Sequence, residues 1–326
     1  MNKITLGVIA VAILAVIGYV VYQQSPKQPQ TLEKVTIAQA FEVFLYAPLY
    51  VAEEQGFFKD EGLDVTITTA GGDEKAFAAL LSGDAQFAVG DPTFVAVSGE
   101  KGQPGKVIAA VLRGVPFWGV AKKSSIGTIA NPSGLNGYSV ATFPAPSTAY
   151  VLQKKMFQAA NIKPNIKETA FGSLLAALDT GAVDIALELE PNVSTAIKNG
   201  DHVVFSLNDY YPEFAITGMT ALPSYVEQNP ETTQKAVNAL QKAMVYIRQH
   251  PNEVADFLIT KFPDVPKDIA ENAVQNMIKA GVFPNDTVIT KAGWDAAIQA
   301  RLDVGDLKAT APYENYVITN FSERAK

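Results

Sequence analysis

The chain has 326 residues, of which 48% are hydrophobic and 18% charged, a profile that excludes disorder and leaves room for about two folded domains. Its formal charge is −7, and residues 1–30 hold Lys3 and Lys27 but no acid, so the remainder is more acidic still and poorly suited to a nucleic-acid partner. There is no cysteine and the histidines are His202 and His250, which excludes disulfides, thiolate metal sites and cysteine nucleophiles and leaves little for histidine-based zinc or triad chemistry.

In chain order, the first feature is Ile4–Tyr22, which carries no charge and at 1.5 Å per residue spans roughly 28 Å, close to the bilayer's hydrocarbon thickness. No small-x-small cleavage pattern follows at Val20–Gln24, so residues 1–22 are expected to serve as a retained anchor more than as a cleaved signal. Lys3 and the amino terminus place the N-terminus in the cytoplasm and the body outside, an argument that Lys27 and Lys34 dilute. Residues 23–32, polar and with two prolines, read as a tether.

From residue 33 onward short β-branched runs alternate with helical patterns: 35–40, 65–70, 87–90, 106–112, 117–122, 138–143, 165–171, 184–189, 203–207 and 215–222. This alternation predicts an α/β architecture with largely parallel sheets. Asp73 ahead of EKAFAALLS and Ser147 ahead of TAYVLQKKMFQAA read as helix caps, and Gly83 reads as a stop. After Pro223 the pattern is helical only, over 230–250, 251–261, 266–280 and 290–306. The segments 78–92 and 176–191 echo each other as helix, glycine turn, apolar strand, acid and proline, which suggests two similar lobes.

The stretch FEVFLYAPLYVAEEQGFFKDEGLDVTI (41–67) resembles the start of ABC-transporter solute-binding proteins of the sulfonate, nitrate, taurine and thiamine-pyrimidine branch. ALLSGDAQFAVGD, VIAAVLRG, SGLNGYSVATF and LLAALDTGAVDIALELEP extend that resemblance over about residues 34–310. The resemblance implies a type II periplasmic-binding-protein fold, two α/β lobes joined by a two-strand hinge, with a helical C-terminal third. Lobe one would comprise 33–117 plus 223–326, and lobe two 118–222. It further implies capture of a small molecule between the lobes, delivery to a permease and an ATPase on separate chains, a monomeric body and no cofactor.

Independently of family, ligands of open α/β sheets bind beyond the carboxyl ends of strands, near helix N-termini. The windows that follow the predicted strands are Phe41 to Tyr46, Gly71 to Asp73, Asp91 to Thr93, Arg113 to Trp118, Thr142 to Thr148, Phe171 to Ser173 and Glu188 to Asn192. Within them Phe44, Tyr46, Phe117 and Trp118 are candidates for clamping a flat ligand, against a role in the core. Asp91 and Glu188 are candidate acceptors for an amine, amidine or hydroxyl, with helix capping as the alternative for Asp91. Thr93, Thr142, Pro144, Ser147, Thr148 and Asn192 offer hydroxyls, an amide and a helix start, with capping the alternative for Ser147. Arg113 is the arginine at a strand end, a partner for an anion or for a structural carboxylate. With Glu42 and Glu190 the acids outnumber it, which favours a neutral or cationic nitrogen heterocycle, such as a pyrimidine, over a sulfonate or nitrate.

The alternatives are a non-transport enzyme on the same fold, of the menaquinone-dehydratase or pyrimidine-biosynthesis type, and a sensing partner of a membrane receptor. No GxxxxGK[ST], GxGxxG or HExxH motif is present.

Overall fold

The computed structural model describes residues 31–103, 105–122, 126–163 and 165–325, and the chain divides into 1–32 and a compact body, 33–326. The apolar segment 4–22 and nearly all of the tether lie outside the described residues, among which no helix is long and apolar enough to cross a membrane.

Each of the ten apolar runs forms a strand: β1 (Glu33–Gln39), β2 (Leu63–Thr69), β3 (Phe87–Gly90), β4 (Lys106–Leu112), β5 (Trp118–Ala121), β6 (Val140–Thr142), β7 (Ile166–Glu168), β8 (Ile185–Glu188), β9 (His202–Ser206) and β10 (Thr217–Ala221). They make two five-stranded sheets, ordered β2-β1-β3-β10-β4 and β7-β6-β8-β5-β9. The order and strand senses are the same in both, which accounts for the echo between 78–92 and 176–191.

The sheets are mixed, not largely parallel as alternation alone suggested. β1 pairs parallel with β2 and β3, and β6 with β7 and β8, whereas β10 and β5 run antiparallel to both of their neighbours. The reason is the crossing: β5 and β10 are the strands that enter a sheet from the opposite lobe. A second correction follows, because β10 lies inside the segment 118–222 assigned to lobe two yet is inserted between β3 and β4. The return crossing therefore falls before Thr217. The two crossing segments are tied together, with Gly114 N–H donating to Phe214 O (3.2 Å) and Val115 N–H to Asn208 Oδ1 (3.0 Å).

Of the C-terminal helices, Pro230–Gln249 covers lobe one, whereas Lys267–Lys279 packs on Asn192–Lys198 and Lys291–Val304 on Thr148–Ala159, both of lobe two. Pro230–Gln249 and Pro251–Lys261 each begin with proline at a position that needs no N–H donor. Pro230–Gln249 buries Ala236, Val237, Leu240, Ala243, Met244 and Ile247, a helical stripe that packs on Ala47–Glu54 and Phe57–Asp60. Lys291–Val304 stops at Gly305, whose φ of +85° suits glycine. Asp73 does not cap as the sequence suggested: it is the first residue of Asp73–Ser82, after Gly72, and its carboxylate is directed elsewhere. Ser147 does cap Thr148–Ala159, accepting from Tyr150 N–H at 3.3 Å.

Gly119, in β5, pairs with Phe205 of the neighbouring strand β9 and leaves space for its ring: a Cβ there would lie 2.1 Å from that ring. Gly119→Ala is expected to cost about 1–3 kcal/mol through overpacking. Urea unfolding should show that loss, and adding Phe205→Leu should recover part of it; an unchanged midpoint for Gly119→Ala would contradict the packing.

Candidate functional site

Between the lobes lies a cavity of about 280 Å³, walled by the segments that follow the strands. Lobe one supplies Phe41 and Tyr46 after β1, Asp73 after β2 and Asp91 after β3. Phe117 sits at the crossing into lobe two, which supplies Phe143, Pro144, Ser147 and Thr148 after β6, Phe171 after β7 and Leu189 after β8. The strand ends converge here because the parallel strands of each sheet point toward the other lobe.

One side of the cavity is aromatic. Phe41 of lobe one faces Phe171 of lobe two with ring centroids 6.0 Å apart and planes 9° from parallel. Phe171 meets Phe143 at 5.4 Å, and Phe143 meets Phe117 at 6.0 Å, so four rings run in sequence across the interlobe gap. Phe171 is 53% exposed and forms the rim.

The lining also carries the carboxylates Asp73, Glu74 and Asp91. Asp91 is buried and receives four donors: Thr93 N–H (2.8 Å) and Thr93 Oγ1 (2.6 Å) on Oδ1, and Arg301 Nη2 (2.7 Å) and the Thr148 hydroxyl on Oδ2. Arg301, 3% exposed, also donates to Thr93 Oγ1 (3.2 Å), Pro146 O (2.9 Å) and Asp306 Oδ2 (2.8 Å). Asp91 and Arg301 thus join lobe one to Pro146 and Thr148 of lobe two. Asp73 accepts Asp91 N–H on Oδ1 at 2.8 Å. Gly90 leaves room for that bond, since a Cβ on it would lie 2.5 Å from Asp73 Oδ1. Burial, then the charge of Asp91, push the Asp73 carboxyl up to about 7. Burial, then Asp73, push the Tyr46 hydroxyl well above its ordinary range, so it stays neutral.

Among the described residues, no lysine, arginine or histidine lines the cavity. The N–H groups of Gly71 and Gly72 both turn back to Ala40 O at 2.9 Å, so the loop ahead of Asp73 does not offer them to an oxyanion.

Of the residues picked from the sequence, Tyr46, Asp91, Phe117, Pro144, Ser147 and Thr148 line this cavity. The others do not. Glu42 is exposed and pairs with Lys261 at 2.8 Å, and Phe44 packs on Phe262 in the lobe-one core. Thr93 is buried behind Asp91. Arg113 is held by Asp286 Oδ1 (2.8 Å) and Val288 O (3.0 Å), the structural pairing and not an anion site. Trp118 lines a separate groove of about 430 Å³ with Val193, Phe205 and Asn276. Thr142 is fully buried with its hydroxyl unpaired among the described residues. Glu188 is buried and accepts from Asn192 Nδ2 at 3.2 Å. Glu190 caps Ser194, accepting from its N–H and hydroxyl at 3.0 Å each, and holds Asn276. Phe41, Asp73, Phe143 and Phe171 fall within the windows after the strands without being singled out there, whereas Arg301 lies outside every window. Arg301 had a legible signal: it completes the spacing Trp294, Ala297, Ile298, Arg301, a charge on the apolar stripe of its helix.

Residues 44–254 match the family model described as NMT1/THI5 like. The chain is 27% identical over 306 residues to "Putative binding protein YtlA" of Bacillus subtilis, covering 91% of each chain. It is 22% identical over 247 residues to the riboflavin-binding protein RibY of Chloroflexus aurantiacus, covering 74% of this chain and 70% of that one. Among solved structures it matches the periplasmic aliphatic sulphonate binding protein SsuA of Escherichia coli with a TM-score of 0.70 at 15% identity, over 88% of this chain and 92% of that one. That likeness establishes the two-lobe periplasmic-binding-protein fold with two mixed sheets.

Proposed function

The chain belongs to the NMT1/THI5-like family, and from that premise and the cavity's geometry we propose that it is an extracytoplasmic solute-binding protein serving an ABC importer. It captures a small, flat, polar organic nutrient between its lobes, a nitrogen heterocycle such as a pyrimidine before a sulfonate or nitrate. The observation that carries this reading is the cavity itself, whose lining combines a run of four rings with carboxylates and no basic side chain among the described residues. Rings present flat apolar area to a planar ligand, and carboxylates accept its N–H groups. The riboflavin-binding relative, whose name specifies a flat nitrogen heterocycle, supports the same class. The permease and ATPase are separate chains, and residues 4–22 hold the monomeric body at the outer face of the membrane.

Capture needs no bond-making. Thr148 reaches Asp91, Arg301 reaches Pro146 O and Lys155 reaches Asp303 (2.6 Å) across the lobes, and a ligand touching both walls adds contacts that favour lobes held together in this way. The hydroxyls on the wall are already engaged: Ser147 donates to Phe143 O and accepts from Tyr150 N–H, and Thr148 donates to Asp91. The acceptor of Ser147 is a backbone carbonyl, and the Asp91 carboxylate that accepts from Thr148 is already paired with Arg301, so neither hydroxyl is arranged as an activated nucleophile.

A thermal-shift screen of pyrimidines, other nitrogen heterocycles, sulfonates, nitrate and carboxylates, with each compound recovered and weighed by mass spectrometry, tests the proposal. A heterocycle should raise the melting temperature by a few degrees at about 100 times its dissociation constant and return intact. Consumption of the compound would establish an enzyme instead, and a response confined to sulfonates or nitrate would overturn the ligand class. Phe143→Ala, which removes the ring between Phe117 and Phe171, is expected to weaken the identified ligand about tenfold by calorimetry, in line with stacking of about 0.5–1.5 kcal/mol.

A further inference from the structure

Resting on that reading of the cavity, we infer that Asp73 sets the charge of the ligand: the cavity takes a planar organic cation whose N–H groups sit on the Asp73 carboxylate, and it rejects oxyanions.

The two cavity carboxylates are unequal. Asp91 is satisfied four times over and neutralised by Arg301. Asp73 receives one hydrogen bond, from Asp91 N–H to Oδ1, and its Oδ2 has no partner among the described residues. The charged or titratable groups that act on Asp73 are Asp91 and Glu74, which repel its charge, Arg301, which is engaged with Asp91 and Asp306, and Tyr46, which is neutral. Lys75 is exposed, with its ammonium beside Gly71. An arriving cation supplies the positive partner this carboxylate lacks, and charge-assisted hydrogen bonds are the stronger kind. The rings in the same lining favour the same choice, because aromatic faces attract a cation and do not attract an anion. An oxyanion entering here would meet Asp73 and Glu74 with no basic side chain in the lining to offset them, Arg301 being engaged with Asp91 and Asp306.

The test uses three probes of one shape and different charge: benzamidinium, benzamide and benzoate, titrated by calorimetry against the purified chain and Asp73→Asn. At pH 8 the wild type should prefer benzamidinium over benzamide by at least tenfold and bind benzoate least. Asp73→Asn keeps an oxygen for Asp91 N–H, so it should fold, and its preference should shrink to within about threefold. Between pH 8 and pH 5.5 the wild type should lose affinity for benzamidinium as Asp73 takes up its proton, whereas Asp73→Asn should not. Glu42→Gln, which removes an exposed carboxylate outside the cavity lining and leaves Asp73 in place, should keep the preference. Binding of all three probes without order of charge, or a preference surviving in Asp73→Asn, overturns this inference and leaves the capture reading standing. Failure of all three to bind overturns this inference alone, since the capture reading stands or falls on the thermal-shift screen.

Discussion

Replacing Arg301 with alanine is expected to remove about 3–5 kcal/mol of stability, the cost of leaving a buried carboxylate without its partner. Arg301 is 3% exposed, and the Asp91 carboxylate it neutralises lies beside Asp73 at the cavity wall. Without the guanidinium, two neighbouring carboxyls face each other in a site from which water is largely excluded. The loss is larger than a surface ion pair would show, since exposed pairs contribute about 0–1 kcal/mol. Urea unfolding should report it, and the double variant Asp91→Asn with Arg301→Met, which removes both charges, should be less destabilised than the sum of the single changes. Small-angle scattering adds a second readout. Because Arg301 also donates to Pro146 O of lobe two, the alanine variant should have a larger radius of gyration than the wild type before ligand is added. A variant as stable and as compact as the wild type would mean that Arg301 neither neutralises Asp91 nor joins the lobes.

The strands were legible because each is a local composition. β4, KVIAAVL, is buried on both faces except at its first residue, and a run of β-branched and apolar residues is how such a strand reads. Sheet membership was not local. β10 looks like its neighbours in sequence, and only the crossing of the chain places it between β3 and β4.

The same distinction divides the site. The rule that ligands bind beyond strand ends located the windows correctly in chain position, but not the direction of each side chain. Phe117 and Trp118 are adjacent, and as the chain enters β5 they turn to opposite faces, Phe117 to the cavity and Trp118 to the other groove. Phe44 and Tyr46 share one short turn, and one packs on Phe262 while the other lines the cavity. Arg113 satisfied the strand-end rule and found Asp286 from the C-terminal third. Arg301 comes from that same third, far along the chain from Asp91, and its helical spacing marked it as buried without naming its partner.

Glu188 gives the second large effect, through pH. It ends β8 opposite Trp118 and is 1% exposed; Oε2 accepts Leu189 N–H and Asn192 Nδ2 at 3.2 Å each, while Oε1 has no partner among the described residues. Burial is the main cause of its carboxyl moving up to about 7, and the hydrogen bonds to Asn192 and Leu189 offset that only in part. Between pH 4.5 and 7 the folded chain therefore holds a proton that the unfolded chain has released. Stability falls as pH rises through that window and levels off above it, by on the order of 3 kcal/mol for this one group. Asp73, also raised to about 7, adds a contribution of the same sign over a similar range. Glu188→Gln keeps the shape and the oxygen that Leu189 and Asn192 need, and it cannot ionise. It is expected to be near wild type at pH 5 and about 1–3 kcal/mol more stable than wild type at pH 8, as measured by urea unfolding at the two pH values. The gain at pH 8 would show that the buried carboxylate costs stability when charged, and an equal difference at both values would show that Glu188 is ionised throughout.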